Sequence, residues 1–311
     1  MKKETKDQIA QAVSHFLGEH KMSANELAKK TGVNAAYISL IRSNRYITNV
    51  GGKDVEIAPK YFEKLAEFIG LTLEKSYWET VATSQFKRII ATLEDAKHFG
   101  YTNVIIGPTG SGKTFTIRQF AKTAPNDTFV ITVGSSDNIG DLIDKVIEAM
   151  SIVPAKTKSK KIREIINGFK ELRHQGYKPM IIFDEAEYMK MPALCAMKEL
   201  YDNLNGIASI IMVGTDQLTR NLDKLRKKNK EGIPQLYRRI KFGIRMLQPV
   251  DRSFKQFLNG LEPGLCRFLK DNCENYGELH DVLVPAKREA ERTGNPLNEG
   301  FVRTMLNMPK Y

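Results

Sequence analysis

Apolar positions return along this chain in two rhythms, and the change from one to the other divides it. Ile9, Ala12, Val13, Phe16 and Leu17 recur every three or four residues, which predicts a first amphipathic helix. Ser23-Ala-Asn-Glu26 reads as a capping box, so a second helix should start at Ser23. A third should run from Asn34 to about Arg42. Residues 44–58, with Gly51-Gly52, suit a loop or a small hairpin. Pro59 then opens a helix with Phe62, Leu65, Ala66 and Ile69 on one side, stopped by Gly70.

Beyond a helix marked by Phe86, Ile89, Ile90 and Leu93, short apolar runs take over. Val104-Ile-Ile106, Thr128–Val133, Met180–Phe183 and Ala208–Gly214 have the length and β-branched content of buried strands. Helical stripes separate them, at Phe115–Ala121, Ile139–Ile147 and Ile165–Leu172. Strands alternating with helices imply an α/β fold, with a parallel sheet and right-handed crossovers. After residue 248 only short helical stripes remain: Phe254, Phe257 and Leu258; Leu265, Phe268 and Leu269; and Phe301, Met305 and Leu306. The organisation expected is an all-α domain over 1–75, a linker over 76–97, an α/β core over 98–247 and a helical segment over 248–311. Trp78, the only tryptophan, is expected to anchor the junction.

Composition narrows the class. With 41% hydrophobic residues in 311, a sizeable core can be buried. No apolar run approaches the roughly 20 residues needed to cross a bilayer, and the start MKKETKDQIA has no apolar signal core. Three cysteines without a paired C-x-x-C spacing read as reduced thiols of a cytoplasmic protein with no zinc site. The net charge of +12 points to a polyanionic partner. It is concentrated: residues 1–75 carry +3, residues 151–180 carry +6 and residues 218–245 carry +8. Lys156, Lys158, Lys160, Lys161 and Arg163 stand where a loop should enter a helix, as suits a grip on nucleic-acid phosphates. For Lys224–Lys230 a solvated face and a DNA contact are equally open.

The organising motif is Gly107-Pro108-Thr109-Gly110-Ser111-Gly112-Lys113-Thr114, which meets G-x-x-x-x-G-K-[ST] at every fixed position. It follows a predicted strand and opens a predicted helix. Glycines there let backbone N–H groups converge on phosphate oxygens at a helix N-terminus. Lys113 would reach the β- and γ-phosphates of ATP, and the Thr114 hydroxyl would ligate Mg2+. The third apolar run ends in Asp184-Glu185, 71 positions after Lys113. Asp184 would hold the magnesium shell and Glu185 would polarise the attacking water. Thr215, after the fourth run, could orient that water or simply serve the turn.

Around Ala28, Gly32, Ile38 and Ile41 the spacing resembles the helix-turn-helix of phage repressors, with Asn34, Tyr37, Ser39 and Arg42 on the outward side of the third helix as DNA-binding candidates. A bundle that only resembles a DNA reader has the same pattern.

The DEAE box, Thr215 in a sensor-1 position and Pro234-Gln-Leu-Tyr-Arg-Arg-Ile240 resemble the AAA+ P-loop ATPases. The order helix-turn-helix, ATPase core and small helical lid is similar to the MuB family, the target-DNA-binding ATPases of transposing phages, related to the TnsC and IstB helpers. That resemblance covers nearly the whole chain. It implies a bacterial or phage protein that assembles with itself on duplex DNA under ATP, as oligomer or filament, and delivers the target to a transposase. By the same match Arg239 is the arginine finger, with Arg238 the fallback; a surface phosphate contact or a salt bridge is the plain alternative for both. Where the family carries Gly-x-Leu-Arg, this chain has Gly277-Glu-Leu-His280, and a neutral imidazole cannot do an arginine's bidentate work. A replication initiator or helicase loader shares this fold and chemistry. A repressor using ATP only as a structural ligand is a third class, against which Glu185 and Arg239 argue.

Overall fold

A computed structural model describes residues 1, 3–20, 22–71 and 77–309. The chain divides into two compact units, Met1–Ser76 and Tyr77–Tyr311.

The smaller unit holds α1 (Lys3–Glu19), α2 (Ala24–Thr31), α3 (Ala35–Arg42), a hairpin of β1 (Ile47–Val50) and β2 (Lys53–Glu56), and α4 (Pro59–Phe68). The capping box at Ser23 forms in full: the Ser23 N–H donates to Glu26 Oε2 at 2.7 Å, and the Glu26 N–H to Ser23 Oγ at 3.2 Å. Gly32 ends α2 in the left-handed region, at φ 69°, which a side chain would resist. Ile9, Val13, Leu27, Ile38, Ile41, Phe62 and Leu65 are fully buried together. The expectation of an all-α domain needs correction, because the hairpin pairs Ile47 with Glu56 in antiparallel register. Gly51 and Gly52 turn it, both at positive φ, which is the backbone a two-residue hairpin loop demands.

The larger unit opens with α5 (Ser84–Phe99) and β3 (Thr102–Ile106), then α6 (Lys113–Thr123), β4 (Thr128–Thr132), α7 (Ile139–Ala149) and α8 (Lys158–His174). There follow β5 (Met180–Asp184), α9 (Met191–Leu204), β6 (Ser209–Gly214), α10 (Asp216–Lys227), α11 (Ile233–Ile240) and β7 (Ile244–Met246). The sheet is parallel throughout, in the order β4-β5-β6-β3-β7. Successive strand side chains go to opposite faces. Val104, Ile106, Ile181, Phe183, Ile210 and Met212 pack with α7–α11 on one side. Ile105, Met180, Ile182, Ile211 and Val213 pack with α5 and α6 on the other. The second half of the linker stretch packs on the core, as its stripe of Phe86, Ile89, Ile90 and Leu93 suggests: Ile89, Leu93 and Ala96 of α5 are fully buried against the sheet.

The carboxyl-terminal segment contributes α12 (Pro263–Asn272), α13 (Tyr276–Thr293) and α14 (Glu299–Met305), with a cluster of their own around Phe254, Leu265, Leu269, Leu279 and Leu283. The helical stripe expected at Phe254–Leu258 is a run of turns instead. Asp251 side-chain oxygens accept from the Ser253 N–H and hydroxyl, and Phe254 sits at φ 47°, so the backbone turns where a helix would have to continue. α13 runs unbroken past Pro285. No helix among the described residues is long and apolar enough to cross a membrane.

Candidate functional site

β3, β5 and β6 are neighbours in a parallel sheet, so their carboxyl ends lie side by side, where ligands bind in open α/β sheets. That edge delivers Gly107 after β3, Asp184 at the end of β5 and Gly214-Thr215 at the end of β6. The Gly107 N–H donates to Gly214 O at 3.1 Å, tying the glycine loop to β6. Two glycines in the loop are required by close approach. A Cβ on Gly107 would lie 2.7 Å from Leu247 Cδ1, and one on Gly110, already at φ 70°, would lie 2.0 Å from Asn275 Oδ1. Asn275 caps α13, whose Gly277 N–H donates to Gly110 O, so the carboxyl-terminal helices rest on the loop.

A cavity of about 820 Å³ opens here. The wall includes Thr109–Thr114, Asp184, Glu185, Glu187, Gly214 and Thr215, and on the far side Trp78, Phe257, Tyr276 and His280. Gly112 opens α6 in the left-handed region with no side-chain cap, which leaves the first-turn N–H donors without a side-chain acceptor and free for an anion. The Ser111 hydroxyl is turned inward onto Pro108 O at 2.7 Å. Lys113 Nζ folds back onto the carbonyls of Gly107 and Pro108, at 2.9 and 2.8 Å. Burial pushes this ammonium below the ordinary lysine value, while Glu187, Asp184 and Glu185 pull it the other way. The Thr114 hydroxyl donates to Asp184 Oδ2 at 2.7 Å, bringing together two hard oxygen donors of the kind magnesium prefers. Asp184 is buried, whereas Glu185 is exposed at the cavity wall, in the left-handed region at φ 56°.

Other expected residues lie elsewhere. Arg239 is outside this wall; its guanidinium pairs with Asp202 of α9 at 2.7 Å and lies over the Tyr201 ring. Arg238, next to it, is exposed. Lys156, Lys158, Lys160 and Arg163 are exposed around the start of α8, but Lys161 is tied to Asp144 of α7. In the smaller unit Asn34 is the side-chain cap of α3 and Tyr37 packs edge-on against Tyr61, while Ser39 and Arg42 are exposed.

Residues 101–222 match the model of the AAA domain family. Over 206 residues the chain is 25% identical to the Mu-like prophage FluMu DNA transposition protein B of Haemophilus influenzae, covering 66% of this chain and 69% of that protein. These matches make the chain an ATPase with an AAA domain over 101–222, similar to a MuB-type transposition protein. Solved structures share the fold of this chain. CDC6P from Pyrobaculum aerophilum superposes with a TM-score of 0.54 at 15% identity over 70% of this chain. The chain spans 66%, just under two thirds, of that structure. The Aeropyrum pernix ORC2 protein, solved as ADPNP-ADP complexes, gives 0.52 at 15% identity, covering 73% of this chain and 67% of that one. As an ATPase with an AAA domain the chain binds nucleotide.

Several wall residues escaped the sequence reading. Trp78, expected at a junction, stacks on Phe257 with ring centroids 4.8 Å apart and meets His280 edge-on at 5.1 Å. Arg118 and Lys122 bring two further cations of α6 to the wall. Glu187 could have been found, since it is the second glutamate of the DEAE box. Behind the wall, buried Gln85 could not. Its amide donates to the carbonyls of Gln248 and Pro249, and its oxygen accepts from Tyr276, joining segments far apart in sequence.

Proposed function

We propose that this protein is an ATP-dependent DNA-binding ATPase that assembles with itself on duplex DNA, selects targets for transposition and recruits a transposase there. The observation that carries this reading is the two-thirds of the chain that aligns with a DNA transposition protein. The solved neighbours share only the fold at 15% identity, which adds nothing to a replication-initiator reading.

ATP would enter with its phosphates on the loop Gly107–Thr114. Lys113 leaves the carbonyls of Gly107 and Pro108 and turns to the β- and γ-phosphates. Thr114 and Asp184 fit a magnesium ion, which would neutralise charge on the phosphates. Glu185 accepts a proton from, or orients, the attacking water, and Thr215 holds that water from the β6 side. Arg239, outside its own cavity, would complete the site of an adjacent subunit once Asp202 gives it up. Helices α12–α14 serve as the lid. Without an arginine at 280, Arg118 on the cavity wall would be the cation that closes on phosphate.

DNA would meet the exposed lysines around the start of α8 and, in the smaller unit, the face of α3 with Ser39 and Arg42, used as a helix-turn-helix. Binding of a labelled duplex, followed by anisotropy with and without ATP over a range of salt, tests this. ATP should tighten binding, and Lys158→Ala with Lys160→Ala should weaken it and flatten the salt slope by roughly 0.9 per lost contact. Duplex binding indifferent to both ATP and salt would overturn the reading.

A further inference from the structure

Of the wall carboxylates without a task in the roles above, Asp281 pairs with His280, and Glu187 is left. Glu187 lies on a single 3-10 turn, Ala186–Tyr188, directly after β5. Its Oε2 is buried and has no hydrogen-bond partner. A buried carboxylate oxygen without a donor costs free energy unless something arrives to satisfy it. The backbone makes room for it: a Cβ on Gly214 would sit 2.5 Å from this oxygen. Gly214 has no positive φ to excuse its being glycine, so the space beside the carboxylate is the reason available.

A polyanion is due in this cavity, and a third carboxylate beside Asp184 and Glu185 would repel it. The conflict disappears if pure hydrogen-bond donors carrying positive charge stand between them. Lys113 is one candidate, but it is bound to loop carbonyls here and turns to phosphate when ATP enters. The waters of a hydrated magnesium ion are the other. Magnesium gives up its waters reluctantly and is usually held through one or two protein oxygens plus phosphates. Among the described residues no group of three or more His, Cys, Asp or Glu could hold a metal alone, so an ion at Thr114 and Asp184 would keep several waters.

We propose that Glu187 is a positioning residue that accepts hydrogen bonds from the water shell of the nucleotide-bound magnesium, with Gly214 keeping its place open. This rests on the reading of Thr114 and Asp184 as the magnesium site.

The test measures ATP affinity with excess Mg2+ and in EDTA, read from the fluorescence of Trp78, the chain's only tryptophan and part of the same wall. Wild-type protein should bind ATP more tightly with Mg2+. Glu187→Gln should bind it in EDTA as tightly as wild type or more so, since a repelling charge is gone. Its gain from Mg2+ should shrink by about tenfold, the worth of a hydrogen bond to a charged group. Gly214→Ala, which keeps the charge but displaces it, should also lose the gain, and combining the two should lose little more. A structural role would weaken both affinities together. Equal loss with and without metal, or a full Mg2+ gain in Glu187→Gln, overturns the proposal while leaving the magnesium site standing. No Mg2+ gain in wild type overturns both.

Discussion

Lys97 and Lys113 belong to the same unit, both are withdrawn from water, and burial holds both ammonium groups below the ordinary lysine value. They lie at opposite edges of one parallel sheet. Lys97 stands where β4 and β5 begin, and donates to Asp127 at 2.7 Å, Thr128 Oγ1 at 2.9 Å and Lys178 O at 2.7 Å. All three of its protons are used, and Asp127 also accepts the Lys178 N–H. Lys113 stands where β3 and β5 end and has only two carbonyls of its own loop, with carboxylates nearby but none bonded to it. A buried cation satisfied within the fold is a fastener. One satisfied only by groups that it can leave is waiting for a ligand.

The largest effect that sharpens this contrast is expected from Lys113→Ala. Hydrolysis should fall by at least about 10²-fold, while the unfolding midpoint without nucleotide stays near wild type; a nucleotide-free protein that melts much earlier would mean Lys113 is a fastener as well. Lys97→Met should do the reverse. Stability in urea should drop by about 3–5 kcal/mol, because Asp127 is left buried without its cation, and ATP affinity of the folded protein should hold. Lost affinity without lost stability would break the comparison.

Arg239 is an intermediate case, half-buried with a single carboxylate partner. Asp202→Asn should change stability by no more than about 1 kcal/mol. If the pair is a resting contact of a residue that acts elsewhere, turnover on DNA should stay level or rise, and a fall would make Asp202 part of the working arrangement. The smallest effect concerns pH. Folded Lys97 gives up its proton below 10.5, so between its folded value and 10.5 the unfolded chain holds more protons, and the unfolding free energy rises with pH. Lys97→Met lacks that gain. The stability gap between the two proteins should widen in favour of wild type as the pH climbs toward 10.5, as urea titrations at several pH values would show.

The fastener and the ligand site were not equally legible. Gly107–Thr114 is one unbroken stretch between a strand and a helix, so the loop could be read whole. Asp184 followed from the apolar run before it. Lys97 gave no signal, because its partners come from three other segments. The far wall of the cavity was hidden for the same reason, as Trp78, Phe257, Tyr276 and His280 meet only once α13 rests on the loop. Strand β7 is three residues, Ile244-Arg-Met246, too short to show a period, and its neighbour Gly243 comes so close to β3 that a Cβ would lie 2.5 Å from Thr102 O.

By itself the sequence determined what depends on near neighbours: the α/β alternation, the cap at Ser23, the turn at Gly51-Gly52 and the glycine loop. These arise from backbone sterics and side-chain period, which act over a few residues. Tertiary structure alone decided which charges are paired and which are open. It set Lys97 against Asp127, Arg239 against Asp202, and Glu187 beside the space left by Gly214. Such pairings depend on where separate strands end relative to one another, and no local rule of the chain carries that distance.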